Sequence, residues 1–203
     1  MWQMFLKGGP LMWPILFCSV LALAIIIERI WYLHKIQIGT RQFLNRVLDK
    51  MKRHQIKEAL EICDIKQSPI SRILKAGILK FDQGRQQIKE AIEDAALYEE
   101  PHLEKNMTLL ATIAHISPLL GLLGTVVGLV RCFQIIQTKS TALQTISPGD
   151  LAGGIWVALL TTVAGLIVAI PAFVAYNYLV SRINNFILEM EKASTELVNF
   201  LTE

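Results

Sequence analysis

The chain has 203 residues, is 53% hydrophobic and only 18% charged, and carries a formal net charge of +3. An ordinary soluble domain is about 45–50% apolar and about 25% charged, so the surplus apolar residues, which fall in blocks, point away from a plain soluble fold and towards a membrane protein. So small a positive charge gives no ground for nucleic-acid binding.

The first block runs from Leu11 to Ile27 (LMWPILFCSVLALAIII), close to the roughly 20 apolar residues that a membrane span needs. Only Lys7 precedes it, and Glu28-Arg29-Ile30-Trp31 follow with no small-residue cleavage site. It therefore reads as a retained helix rather than a signal peptide. Glu28 and Arg29 are expected to mark the end of this span, solvated beside lipid head groups. Residues 1–33 thus form an N-terminus and a first transmembrane helix.

Residues 34–108 read as helices with short breaks. Phe43, Leu44, Val47, Leu48 and Met51 recur at helical spacing, as do Ile70, Ile73, Leu74, Ile78 and Phe81. Ser68-Pro69 has the form of an N-cap followed by proline at the first helical position. Gly84 is expected to close that helix. From Arg85 the periodicity passes through Ile88, Ala91, Ile92 and Ala95 into the second span, which predicts one long helix kinked at Pro101.

The second apolar block is Leu109–Val130 and the third Leu151–Tyr176. Between His34 and Thr108 there are 14 Lys or Arg against 11 Asp or Glu, whereas Arg131–Pro148 holds only Arg131 and Lys139 as basic residues. The positive-inside bias puts residues 34–108 in the cytoplasm and the N-terminus outside. Residues 109–180 then hold two spans and a short outer loop, and residues 181–203 return inside. Ile183, Phe186, Ile187, Met190, Ala193, Leu197 and Phe200 form one apolar stripe, so the third span is expected to continue as an amphipathic helix packed on the one before the second span. The expected fold is all-α: three spans with long helices extending into a cytoplasmic helical domain. By this topology Cys18, Cys63 and Cys132 lie in different compartments and form no disulfide framework.

Apolarity cannot drive helices together in lipid, so close packing through small residues does. Gly121, Gly124, Thr125 and Gly128 share one side of the second span, and Gly154, Ala158, Thr162, Gly165 and Ala169 one side of the third. Packing alone accounts for the glycines. Thr125, Thr161 and Thr162 admit two readings: hydroxyls bonded back to a carbonyl one turn earlier, or hydroxyls facing a wet interior. Pro118 and Pro171 should bend the two spans and free carbonyls. His115 is the ionisable residue inside the second span, either functional or neutral and bonded to a neighbouring helix. The motifs GxSxG and HExxH and the phosphate loop ending in GK[ST] are missing, so no enzyme is expected, and there is no metal-ligand spacing.

The segments SPLLGLLGTVVGLVRCF (Ser117–Phe133) and LAGGIWVALLTTVAGLIVAIPAFVAYN (Leu151–Asn177) resemble the ExbB/TolQ branch of the MotA/TolQ/ExbB proton channel family. The resemblance implies a pentamer of this chain around the single-span helices of an ExbD- or TolR-like partner that brings an aspartate. It also implies an inner-membrane motor with protons as the translocated ion, sodium being the alternative, and no cofactor. Thr125 and Thr162, with Thr161 beside them, stand where the family has pore-facing threonines. The family's usual third-span glutamate is replaced by Val157, which raises a rival expectation: a membrane scaffold that has lost ion coupling.

Overall fold

The computed structural model describes residues 8–141, 145 and 147–202, so Lys7 lies outside the described residues. Among them every regular element is an α-helix: α1 (Met12–Gln37), α2 (Thr40–Lys52), α3 (Ile56–Lys66), α4 (Pro69–Ile78), α5 (Arg85–Leu103), α6 (Met107–Thr141) and α7 (Pro148–Thr202). α1, α6 and α7 supply the three stretches long and apolar enough to cross a membrane. The expected all-α, three-span architecture is what the chain adopts.

The chain divides into two compact units, Met1–Glu28 with Asn106–Tyr178, and Arg29–Lys105 with Leu179–Glu203. In the first, large apolar side chains such as Phe17, Leu119 and Ile167 point outward while Gly121, Gly124, Gly128 and Ala158 are buried. That inversion suits a lipid surround, where large side chains lose nothing by exposure and small ones let backbones approach.

The second unit has an ordinary hydrophobic core. Val47, Ile70, Ile73, Leu74, Ile78, Ile88, Phe186 and Leu197 are buried, in line with the helical stripes read from the sequence, except that Phe81 is exposed and lies beyond the end of α4. Gly77 is where three helices meet: a Cβ there would stand 2.7 Å from Ile92 Cδ1 and 3.3 Å from Leu197 Cδ2. The end of α7 also ties to α5 through Arg85 Nη2, which donates to Asn199 Oδ1 at 3.1 Å. α4 begins as its sequence predicts. The Ser68 hydroxyl accepts from the Ser71 amide at 3.4 Å and the Ser71 hydroxyl from the Ser68 amide at 2.9 Å, with Pro69 at the first position. Arg72 of α4 sets its fork on both carboxylate oxygens of the buried Glu99 of α5, and that carboxylate raises the guanidinium pKa further.

Three expectations are corrected. Gly84 does not end α4, which stops at Ile78; at φ +86° it stands instead at the start of α5. The long helix from Arg85 into the second span is two helices. Pro101 has no N–H to donate to Leu97 O, α5 ends two residues later at Leu103, and Asn106 at φ +64° precedes α6. Arg29 is not a solvated interfacial residue: it is 2% exposed, and its Nη1 donates to His102 O at 3.2 Å and Leu103 O at 3.4 Å.

Candidate functional site

The candidate site is the seam of α6 and α7 in the first unit. Gly121, Gly124 and Gly128 recur at the three- and four-residue spacings that keep one helix face, and Gly154, Ala158, Thr161 and Gly165 answer them. A Cβ on Gly128 would stand 2.8 Å from both Ala158 Cβ and Gly154 O; one on Gly165 would meet Ser117 O at 2.5 Å; one on Gly121 would stand 3.0 Å from Thr161 O. Gly124 leaves the room that the Thr161 side chain fills. These positions therefore need a hydrogen in place of a methyl, as the small-residue spacing implied.

The three threonines differ in their surroundings. Thr161 is 1% exposed and its hydroxyl donates to Ala158 O at 2.8 Å within its own helix. Thr162 is half-buried and crosses the seam, donating to Gly121 O at 3.1 Å. Thr125 is half-buried and bonds Leu122 O of its own helix at 2.6 Å. The structure thus brings Thr161 and Thr162 onto the seam, against Gly124 and Gly121. With each proton committed to a carbonyl, the hydroxyl oxygens keep lone pairs only, which suits a weak cation acceptor.

Val157 lies one turn before Thr161. It lines a small cavity with Gly124, Gly128, Thr161 and Arg131, to which Gly8, Gly9, Pro10 and Leu11 also contribute. An aliphatic side chain there offers no proton, and Arg131 is the charged group lining that space. Among the described residues His115 makes no hydrogen bond to a neighbouring helix. Its Nδ1 stands 2.7 Å from Ala111 O one turn earlier, so Nδ1 carries the proton, and its ring meets Phe173 of α7 edge-on at 6.1 Å. Pro118 and Pro171 sit inside continuous helices and leave Ala114 O and Ile167 O without the usual amide.

Two members of the seam were not singled out from the sequence. Ser117 is fully buried and donates to Ile113 O at 2.7 Å. Cys132 is buried with its sulfur against Gly154 and 3.5 Å from Leu151 O. A signal existed, because Ser117 and Cys132 extend the row Gly121, Gly124, Gly128 by four residues at either end.

Residues 65–192 match the MotA/TolQ/ExbB proton channel family. An ExbB homolog of biopolymer transport from Methanothermobacter thermautotrophicus is 30% identical over 190 residues, 93% of this chain and 66% of its own length. An ExbB-like protein of Synechocystis is 36% identical over 85% of this chain and 81% of its own. The Tol-Pal system protein TolQ of Pseudomonas aeruginosa is 36% identical over 57% of this chain and 53% of its own. With that match across three apolar helices and a small-residue seam, the chain belongs to the ExbB/TolQ branch of the MotA/TolQ/ExbB proton channel family, whose members are ion-driven, energy-transducing membrane proteins.

Proposed function

We propose that this chain is the multi-span subunit of an inner-membrane motor in which an ion gradient, of protons rather than sodium, drives work on the periplasm or outer membrane. It assembles with copies of itself, as a pentamer, around a single-span partner of the ExbD/TolR kind that brings the titrating aspartate. The N-terminus is periplasmic and the C-terminus cytoplasmic. What supports this reading is that the compact faces let α6 and α7 approach closely, while the half-buried hydroxyl oxygens of Thr125 and Thr162 can accept a cation without trapping it as a fixed charge would. A carboxylate in such surroundings is desolvated, so its proton affinity rises and it can load and unload in each step.

The observation that carries this reading is Thr162. It is half-buried, and its proton is spent across the seam on Gly121 O, so its oxygen is left as an acceptor. Thr125 is also half-buried, with its proton spent on Leu122 O of its own helix α6, and Thr161 packs against Gly124. The scaffold reading draws no support from the fold or from the relatives. The test is Thr162→Val in the complex with its partner, reconstituted in liposomes. An interhelical hydroxyl bond in a membrane contributes only about 0.6–2 kcal/mol, so assembly should survive while proton flux falls about tenfold or more. Native flux in the variant would discard the role of Thr162. Flux that persists with a protonophore and vanishes without sodium would reassign the ion, and no flux from the native complex would favour the scaffold.

A further inference from the structure

The last carbonyls of a helix have no intrahelical partner and carry the negative end of its dipole. α5 ends at Leu103 with no glycine and no left-handed residue at its cap; Glu104 simply returns its amide to Glu100 O. Two of the orphan carbonyls, His102 O and Leu103 O, are taken by Nη1 of Arg29. The guanidinium also lies 5.2 Å over the ring of Tyr32, one turn further along α1. Beyond the break, in the other unit, Asn106 adopts φ +64° and its carbonyl receives the Leu110 amide at 3.1 Å. Its Nδ2 stands 3.5 Å from Oε2 of Glu28. Two consecutive residues of α1 therefore set an acid at the beginning of one helix and a base at the end of another, each the sign that the local dipole favours.

We propose that Glu28-Arg29 is the positioning element that fixes where α5 stops and α6 starts, with Arg29 as its principal member. Pro101 does not suffice, since proline inside a helix kinks or weakens it and α5 continues past it to Leu103. Nor is Arg29 an interfacial anchor, because an arginine that reaches for lipid head groups is not 2% exposed. Removing the guanidinium leaves two carbonyls short of a donor in a buried place, a cost paid at the break itself. Lysine keeps the charge but lacks the planar face that lies over Tyr32.

The test is hydrogen exchange on the full chain in lipid nanodiscs. Arg29→Gln should raise amide exchange across residues 100–108 about tenfold or more, while peptides of α2, α3 and α4 stay within about twofold of native. Unchanged exchange at the break, or a rise spread evenly over residues 29–105, would overturn the proposal. Should Arg29→Gln not fold, Arg29→Lys is read instead, with a smaller rise confined to the same residues; a native profile there overturns it equally. The inverted pair E28R/R29E keeps composition and reverses both dipole contacts, so it should loosen the break more than Arg29→Lys, and native protection in it would refute the charge order.

Discussion

At the scale of single residues, burial decides chemistry that the sequence leaves open. Cys63 of α3 is buried, and its pKa is pushed from 9.0 to about 11, first by burial and then by Asp64, with Lys75 opposing. At pH 8 almost no thiolate exists, so maleimide should label Cys63 only after denaturation. The sign for stability follows. The folded state holds its proton more tightly than the unfolded one, so this contribution is fully present below about pH 9 and is lost as pH rises to about 11. Urea melts of the native chain should show that decline, and Cys63→Ala should flatten it. That the three cysteines were not expected to form a disulfide framework was legible from their places along the chain. The burial of Arg29 was not, because an arginine closing an apolar run has the same sequence whether it meets water or the end of another helix.

At the scale of elements, the two halves of the seam respond differently to the same methyl group. On Gly165 it would run into backbone, Ser117 O at 2.5 Å and Gly121 Cα at 3.2 Å, so only movement of a whole helix relieves it. On Gly124 it would meet the side chain of Thr161. Gly165→Ala is expected to cost about 1–3 kcal/mol of α6–α7 packing, the range for overfilled cores. Gly124→Ala should cost a similar amount, and Gly124→Ala/Thr161→Gly should recover most of it by moving the methyl from one helix to the other. Thermal melts in detergent check all three, and equal rescue of Gly165→Ala by shortening a side chain would contradict the geometry. The seam was legible because small residues at spacings of three and four have one structural meaning inside an apolar helix. The end of α5 was not. The apolar period passes across residues 104–106 unbroken, and the contacts Arg29 makes with the end of α5 come from more than 70 positions away in the chain, which no local pattern carries.

At the scale of the whole molecule, continuity of the helices limits how the chain can thread a membrane. α7 runs without a break from Pro148 to Thr202, so its apolar first half and its amphipathic second half belong to one helix. The second half supplies Phe186 and Leu197 to the core of a unit whose other members come from residues 29–105. We therefore propose a single crossing by α7 that leaves its end on the same side as residues 29–105 and the segment around Thr138 on the other. Which side is which rests on the basic residues alone, 14 in residues 34–108 against two in 131–148. In a background with the three native cysteines changed to alanine, Thr138→Cys and Glu90→Cys put thiols at exposed positions that the proposed topology sets on opposite sides. A membrane-impermeant maleimide should label Thr138→Cys in spheroplasts and Glu90→Cys only after permeabilisation. The opposite pattern would invert the topology and move the periplasmic end of the proposed motor to the helices of residues 34–108, and labelling of both in sealed cells would break the single-crossing account of α7.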